Sequence, residues 1–291
     1  MGKKLVMDNT PLVSVLMNCY NGEKFLKEAI DSVYQQSYQN WEIIFWDNAS
    51  IDNSAEIALS YDSRLKYFKS ESTTALGEAR VLAVDKAQGK YIAFLDCDDL
   101  WYPQKLFKQI EMINNNNLGF VYCKTDIINE RGSSILKATS ETLPDGFIFP
   151  GLVKENFIPF VSVLLPIKVY NECGRFPKDY KNSTDYYLFL KIAQRYKIHA
   201  IQEACCSYRI HSDNLSHKQR IVGAQESINA VSSFLPDKVA LNGLKYQYAD
   251  LAIMYLKEVQ LINFATVLLN KAVLPIVYKR IFNKVFNRLI K

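Results

Sequence analysis

The amino-acid sequence predicts an α/β fold in which a largely parallel sheet is flanked by helices. In the first hundred residues, apolar strand-like runs alternate with segments of helical periodicity, and the links between them are short. Alternation of this kind is typical of doubly wound sheets, in which ligands bind beyond the carboxyl ends of the strands. With 291 residues, 49% of them apolar and 22% charged, the chain can bury a substantial core.

The predicted strands and helices follow each other in order. Four largely apolar segments have the length of buried strands: 13–17, 41–46, 65–68 and 91–95. Residues at helical spacing after the first run are Phe25, Leu26, Ala29, Ile30 and Val33. Asp52 or Asn53 can cap a short second helix, a third is expected over 76–87, and a fourth runs from Pro103 to about 113.

After Phe120 the pattern changes. Shorter strand-like runs separated by turn signals, Arg131-Gly132 and Pro144-Asp145-Gly146, predict an antiparallel extension of the sheet. Residues 185–196 form an amphipathic helical pattern, and from about Lys218 onward all segments have helical character. The sequence therefore predicts a catalytic domain over 1–217 and an all-α region over 218–291.

Composition excludes several classes of protein. The longest run without a charged side chain, Asn9 to Gly22, is too short to span a bilayer, and the first residues have no signal-peptide apolar stretch. The six cysteines form no C-x-x-C pair and are expected to be buried thiols in a reducing compartment. These features predict a cytoplasmic protein.

The net charge of +5 is concentrated at the end of the chain. Between Val259 and Lys291 there are six basic residues and no acidic one, and the rest of the chain has 29 basic and 30 acidic residues. The body therefore lacks the footprint of a nucleic-acid-binding protein. Within 275–291, an apolar stripe beside a basic face predicts attraction to an anionic membrane surface, although a helix packed on the protein with a solvated basic side has the same pattern. The stripe is Val277, Ile281, Phe282, Val285 and Leu289, and the basic face is Arg280, Lys284 and Arg288.

The most informative motif ends the fourth predicted strand. Asp96, Asp98 and Asp99 place three carboxylates in four positions, and charges this close raise one another's pKa unless a positive group lies among them. A hard divalent cation, Mg²⁺ or Mn²⁺, meets that need and bridges protein acids to phosphate oxygens. A solvated acidic turn near a helix N-terminus is the simpler alternative.

Several ordered motifs resemble those of family 2 glycosyltransferases of the GT-A type, over about residues 11–216. The matching stretches are Val13–Gly22, Ile30–Tyr38, Trp41–Ile44, Asp47–Asp52, Ala79-Arg80, Ala87–Ile92 and Leu95–Trp101. The resemblance implies a Rossmann-like mixed sheet that binds a nucleotide-diphosphate sugar with a divalent metal. Two positions depart from the family pattern, since Asn48 follows Asp47 where many members have two acids, and Val81 follows Arg80 where Asn is frequent.

Roles for individual residues follow from this resemblance. Asp96 and Asp98 match the D-x-D element, with Asp98 as the direct metal ligand and Asp96 facing the ribose or the ion's water shell. Positions that match the nucleotide-binding residues are Tyr20, Asp47, Asn48 and Arg80. An Asn amide can still donate to and accept from a pyrimidine edge, so Asn48 is compatible with uridine, and a UDP-sugar is the favoured donor.

An inverting transfer also needs a general base for the acceptor hydroxyl. The stretch Ser183–Leu190 resembles the family segment that supplies it, which makes Asp185 the expected base, with Thr184 in place of the more usual Glu. Stabilisation of a helix N-terminus alone also explains Asp185. In the segment Tyr208–Ser216, which resembles the part that closes over the donor, His211 is a candidate ligand for the metal or the diphosphate, or a structural loop residue.

Together these features predict an inverting glycosyltransferase at the inner face of the cell membrane. It would move a hexose or N-acetylhexosamine, from UDP above other carriers, to a saccharide or lipid-linked saccharide in cell-surface polysaccharide or lipopolysaccharide synthesis. The alternatives are a sugar nucleotidyltransferase, which should carry a glycine-rich basic loop that 18–24 lacks, and a non-catalytic binding relative, which the trio Asp96, Asp98 and Asp185 disfavours.

Overall fold

The structure is a computed structural model that describes residues 10–114, 116–138, 141–258, 260–268 and 275–279. The strands are β1 Val13–Cys19, β2 Trp41–Asp47, β3 Leu65–Lys69, β4 Tyr91–Phe94, β5 Leu100–Trp101, β6 Leu118–Ile128, β7 Ser134–Leu136, β8 Leu164–Pro166 and β9 Lys197–Arg209. The α-helices are α1 Glu23–Tyr34, α2 Ser54–Leu59, α3 Leu76–Val84, α4 Lys105–Asn114, α5 Phe149–Leu152, α6 Ile167–Glu172, α7 Thr184–Ala193, α8 Leu215–Lys218, α9 Arg220–Ser232, α10 Lys238–Lys257 and α11 Leu261–Leu268. In the described residues, no helix has both the length and the apolar character needed to cross a membrane.

The described strands form one mixed sheet in the order β3-β2-β1-β4-β8-β6-β9-β5, with β7 paired to β6. Strands β3, β2, β1 and β4 are parallel neighbours, and Val13 of β1 lies between Trp41 of β2 and Tyr91 of β4. The predicted four-stranded parallel half of an α/β fold is therefore confirmed. The largely apolar character of these strands is explained by helices that cover both faces of the sheet.

The second half of the sheet differs from the prediction in one respect. Strand β8 is antiparallel to both β4 and β6, as an antiparallel extension requires. Strands β6 and β9, however, are 11 and 13 residues long and pair in parallel, so the expectation of short antiparallel strands is wrong for this pair. Parallel neighbours need a long crossover, and α7, which directly precedes β9, completes one.

Alternate side chains of each strand enter two apolar clusters, one on each face of the sheet. On β1, Val15 and Met17 join the cluster that contains α1 and α4, whereas Leu16 joins the cluster that contains α3 and α7. Residues of α9 and α10, such as Ile228 and Leu244, belong to this second cluster. The helical C-terminal region therefore packs on the same face of the sheet as α7.

Only a small part of the predicted membrane-binding segment lies among the described residues. Residues 275–279 are helical, and Val277 of the apolar stripe is 4% exposed and packs with Ala249 and Ala252 of α10. The other stripe residues and the basic residues Arg280, Lys284 and Arg288 lie outside the described ranges. At Val277 the stripe therefore contacts protein.

Parallel pairing also places the polar turns together. Strands β1 and β2 end in register at Cys19 and Asp47, and the amide of Leu95, just after β4, donates to the carbonyl of Leu16 of β1. The turns that follow these three strands consequently open at one edge of the sheet, where ligands of doubly wound folds bind.

Candidate active site

A cleft of about 700 Å³ lies at this edge of the sheet. Its wall combines the turns after β1 and β4 with the segment before β8, the start of α7 and the segment after β9. Seven of the eight predicted site residues line it: Tyr20, Asn48, Arg80, Asp96, Asp98, Asp185 and His211. Residues that are more than a hundred positions apart in the chain thus share one cavity.

The acidic turn after β4 directs its three carboxylates to different surroundings. Asp99 is 1% exposed, and its Oδ1 accepts the backbone amide of Arg209 at 2.8 Å. Burial raises the pKa of the Asp99 carboxyl well above its usual range, and the charges of Asp98 and Asp96 add to the rise. Asp96 and Asp98 remain partly exposed in the cleft, so they are the two carboxylates that a ligand can reach.

The turn is held in place by Arg209, whose side chain is fully buried. Its Nε donates to the carbonyl of Asp98 at 2.8 Å, and its Nη1 donates to the carbonyl of Glu130 at 3.0 Å. Nη2 forms an ion pair with Glu28 of α1 at 2.8 Å, and the guanidinium lies 4.6 Å from the centre of the Phe25 ring. One planar fork therefore joins α1, the acidic turn and the turn after β6.

His211 lies directly against Asp98. Its Nε2 is 2.9 Å from Oδ2 of Asp98, and its ring packs on Phe25 with centroids 5.0 Å apart. The backbone amide of Asp213 donates to Nδ1 at 3.2 Å, so we assign the ring proton to Nε2, from which it is donated to Asp98. The Asn214 amide also donates to the same carboxylate oxygen, at 3.4 Å. In this arrangement His211 orients Asp98.

Arg80 of α3 lies between the acidic turn and the predicted base. It is 5% exposed, its Nη1 donates to the hydroxyl of Thr184, and its Nη2 is 3.6 Å from Oδ1 of Asp96. Its guanidinium lies over the Phe160 ring, 3.7 Å from the centroid. Its Nε has no hydrogen-bond partner among the described residues. A buried donor without a partner is costly, and a ligand in the cleft can supply the missing acceptor.

Asp185 stands in the first turn of α7 and is partly buried. Burial raises the pKa of its carboxyl above the usual range, while the positive charge of Arg80 opposes the rise. Backbone amides at the start of α7 and the Asn156 side chain also oppose it by hydrogen bonding to the carboxylate. A proton acceptor with a raised pKa is a stronger base than an exposed Asp.

Asp47 and Asn48 are engaged with the protein. Asp47 is fully buried outside the cleft lining, and its two oxygens accept from the Tyr67 hydroxyl at 2.6 Å and the Ser50 amide at 2.7 Å. The Asn48 side chain reaches the cleft but pairs with the backbone of Thr74, at 3.0 Å to its carbonyl and 3.1 Å from its amide. Tyr20, 55% exposed, stands at the cleft surface. The nucleotide-binding roles of these residues stay predictions.

The acidic turn suits a divalent ion that is completed by its substrate. Among the described residues, no group of three or more His, Cys, Asp or Glu side chains is arranged to hold a metal unaided. Mg²⁺ and similar ions are commonly bound by one or two carboxylates together with substrate phosphates. Asp96 and Asp98 supply such a pair, and their mutual repulsion contributes to raising the pKa of Asp96 to about 6, after the larger effect of burial.

Comparison with known proteins places the chain among sugar transferases. The profile described as Glycosyl transferase family 2 matches residues 14–213. The UDP-Glc:alpha-D-GlcNAc-diphosphoundecaprenol beta-1,3-glucosyltransferase WfgD of Escherichia coli is 36% identical over 208 residues, which cover 70% of this chain and 79% of WfgD. An uncharacterized glycosyltransferase of Rickettsia felis is 32% identical over 237 residues, but the matched region covers 77% of this chain and only 38% of that protein.

Solved structures share the fold at low sequence identity. Staphylococcus aureus TarS 1–349 in complex with UDP-GlcNAc has a TM-score of 0.61 at 16% identity, over 88% of this chain and 90% of that one. The mannosyltransferase PcManGT of Pyrobaculum calidifontis, in complex with GDP-Man and Mn²⁺, has a TM-score of 0.64 at 17% identity, over 93% and 84% of the two chains. The predicted GT-A fold is thereby confirmed.

Replacing Arg209 with Lys tests the anchoring of the acidic turn. A single ammonium group cannot serve the Asp98 and Glu130 carbonyls and the Glu28 carboxylate together, so buried acceptors lose their donors. We expect Arg209→Lys to lower the free energy of unfolding by about 1–3 kcal/mol in urea denaturation. The matched change at the exposed Arg131 should stay within about 0.5 kcal/mol of the parent protein. Equal stability of both variants would contradict the anchoring role.

Proposed function

The chain belongs to glycosyl transferase family 2, and from this and the geometry of the cleft we propose that it moves a hexose or N-acetylhexosamine from a nucleotide-diphosphate sugar to a saccharide or lipid-linked saccharide. Family membership makes it a glycosyltransferase. The observation that carries the finer proposal is the shared cleft of Asp96, Asp98, Arg80 and Asp185.

The donor is assigned to the sheet side of the cleft, with UDP as the favoured carrier. WfgD is named for a UDP-sugar and TarS was solved with UDP-GlcNAc, whereas PcManGT was solved with GDP-Man. Asp98, with Asp96, would hold Mn²⁺ or Mg²⁺, and the bound ion would offset the negative charge that develops on the leaving diphosphate. The Nε of Arg80 has no hydrogen-bond partner among the described residues and would donate to a diphosphate oxygen, which also offsets the negative charge of the leaving group.

Asp185 is proposed as the general base. As the acceptor hydroxyl attacks the anomeric carbon, its proton passes to the Asp185 carboxylate. The C–O bond to the diphosphate breaks on the opposite face of the sugar, so the configuration at that carbon is inverted. The positive charge of Arg80 helps to keep Asp185 ionised before the reaction.

The acceptor is proposed to be an intermediate of cell-surface glycan synthesis. The acceptor named for WfgD is a saccharide linked through diphosphate to a polyprenol, and a relative from Bacillus subtilis, 30% identical over 158 residues, is named as a putative teichuronic acid biosynthesis glycosyltransferase. An enzyme that uses a lipid-linked acceptor works beside a membrane. We therefore place this protein in the cytoplasm at the inner face of the cell membrane.

Replacing Asp185 with Asn removes the proposed base and keeps the shape of the side chain. With UDP-sugars and GlcNAc-diphosphoundecaprenol as substrates, we expect kcat to fall by about 10²–10⁴ while the Kd for UDP with Mn²⁺ is unchanged. Because burial raises the pKa of Asp185, the parent's kcat should decline as the pH falls through that raised value. The exposed Asp179→Asn is the control. Full turnover by Asp185→Asn would remove Asp185 from the mechanism.

Thermal stability in the presence of ligands tests the donor site. UDP and Mn²⁺ together should raise the Tm, with about 2.7 kcal/mol of stabilisation at a hundredfold excess over Kd. Asp98→Ala should abolish the part of the shift that depends on Mn²⁺, whereas Asp179→Ala should preserve it. A larger shift with GDP than with UDP would overturn the choice of uridine. A Tm shift that EDTA leaves unchanged would contradict the proposed metal dependence of donor binding.

We further propose that 275–291 attach the enzyme to anionic lipid. The support is the absence of acids among the last 33 residues, which carry six basic ones. Near an anionic surface each basic residue contributes about 1 kcal/mol, so replacing Arg280, Lys284 and Arg288 with Gln should weaken binding roughly a hundredfold. Sedimentation with phosphatidylglycerol vesicles measures this, and the exposed Arg131, Lys178 and Lys238, changed to Gln together, are the charge-matched control. Equal binding of both triple variants would refute the assignment.

A further inference from the structure

The turn that leads into α7 is held by a carboxylate from the helical C-terminal region. Glu226 of α9 is 9% exposed and accepts three consecutive backbone N–H groups. Its Oε1 accepts from Lys181 at 2.7 Å, and its Oε2 accepts from Asn182 at 2.9 Å and from Ser183 at 2.8 Å. Hydrogen bonds that amides donate to a charged carboxylate are stronger than those between neutral groups, so Glu226 fixes the path of this turn.

The anchored turn ends two residues before Asp185. Ser183 is the N-cap of α7 and makes no side-chain hydrogen bond of the capping type. Glu226 accepts the amides of 181–183, whereas the backbone amides of Asp185 and Tyr186, at the start of α7, act to lower the pKa of the Asp185 carboxyl. The direction in which α7 starts, and hence the position of the Asp185 carboxylate, depends on where Glu226 holds the preceding turn.

Around Glu226, α9 touches the turn without spare space. The Ser183 hydroxyl donates to the carbonyl of Gly223 at 2.9 Å, and the Ser227 hydroxyl donates to the same carbonyl at 2.8 Å. A Cβ at Gly223 would lie 2.6 Å from Oδ1 of Asn182 and 3.3 Å from Oγ of Ser183. Gly223, Glu226 and Ser227 form one face of α9, and this face determines how closely the turn 181–183 approaches the helix.

The same turn supplies one wall of the cleft. Asn182 and Asp185 both line the cavity. The side-chain amide of Asn182 donates to the carbonyl of Leu215, another lining residue, at 3.4 Å. Asp96 and Asp98 instead follow β4, and Arg80 belongs to α3. The acceptor side of the cavity is thus supported by α9, whereas the donor side is supported by the sheet and α3.

We propose that Glu226 is a positioning residue for sugar transfer, which acts by holding 181–183 so that Asp185 and Asn182 meet the acceptor. The inference rests on the proposed role of Asp185 as the base. Because Glu226 lies on α9, the proposal gives the predicted helical region, 218–291, a role in positioning the acceptor site. The saccharide that bears the attacking hydroxyl is the ligand this wall would contact.

Replacing Glu226 with Gln tests the proposal, because Gln matches Glu in shape but turns an NH₂ group toward the backbone amides. Kinetics with UDP-sugars and GlcNAc-diphosphoundecaprenol should show kcat lowered about a hundredfold and acceptor KM raised, since displacement of about 1 Å has effects of this size. The Kd for UDP with Mn²⁺ should not change. Glu111→Gln, at an exposed position of α4, is the matched control and should behave as the parent protein.

A second variant and a second measurement separate positioning from general stability. Gly223→Ala keeps the Glu226 carboxylate, but its new methyl group would displace Asn182. It should therefore also lower kcat while the Kd for UDP with Mn²⁺ is unchanged. Hydrogen exchange should show faster exchange of the amides of 181–187 in Glu226→Gln, with 96–99 unchanged. Parent-like kcat and exchange in Glu226→Gln would overturn the proposal, and so would a loss of UDP binding that parallels the loss of kcat.

Failure of the underlying function gives a different result. If Asp185→Asn turns over as fast as the parent protein, the base assignment fails whatever Glu226 does. If Asp185→Asn is inactive and Glu226→Gln matches the Glu111→Gln control, the base assignment stands and the positioning role is wrong.

Discussion

The concentration of negative charge at the end of β4 is the constraint on which the site depends. Three carboxylates in four residues repel one another, and the fold gives each a different neighbour: Asp99 receives a backbone amide, Asp98 receives His211, and Asp96 faces Arg80. One carboxylate is thereby used to fix the turn, and two remain accessible. A cation shared with a diphosphate suits the remaining pair, since neither acid has a lysine or arginine in close contact other than Arg80 among the described residues.

The two buried arginines of this corner differ in how completely they are paired. Arg209 donates through Nε, Nη1 and Nη2 to three different protein groups, so its role is complete without a ligand. Arg80 contacts Thr184 and Asp96 but leaves its Nε without a partner. A fully paired arginine stabilises the turn, whereas an incompletely paired one is prepared for a further acceptor. The unpartnered Nε therefore supports the proposed role of Arg80 as a ligand of the diphosphate.

The sequence predicted features whose cause is local or periodic. The strands β1 to β4 are largely apolar in sequence, and the acids after β4 are close together in the chain, so the sequence predicts both. Its errors have a non-local cause: nothing in the run after Phe120 indicates that β6 pairs in parallel with β9, because that pairing depends on the path of the chain through α7. The hydrogen bond between Asp47 and Tyr67 is another contact that the neighbours of neither residue reveal, and the nucleotide-binding role of Asp47 stays a prediction.

Residues that support the site were missed for the same reason. Arg209 lies in the segment 208–216, which resembles the family segment that closes over the donor. Its burial beside Glu28 cannot be inferred from the positions of the two residues in the sequence. Glu226 carries no motif at all. Its significance comes from three amides that are more than forty positions away in the chain.

The cleft consequently has two kinds of support. Its donor side consists of turns that continue parallel strands, and the hydrogen bonds of the sheet fix their positions. Its acceptor side consists of the start of α7, whose position depends on the packing of α9 and on a single carboxylate. Arg80 of α3 links the two sides through Thr184, but Asp96 and Asp98 follow β4. A change on the face of α9 can therefore alter the proposed acceptor wall while these two carboxylates stay in place. The helical region can therefore influence which hydroxyl reaches Asp185 without rebuilding the nucleotide site.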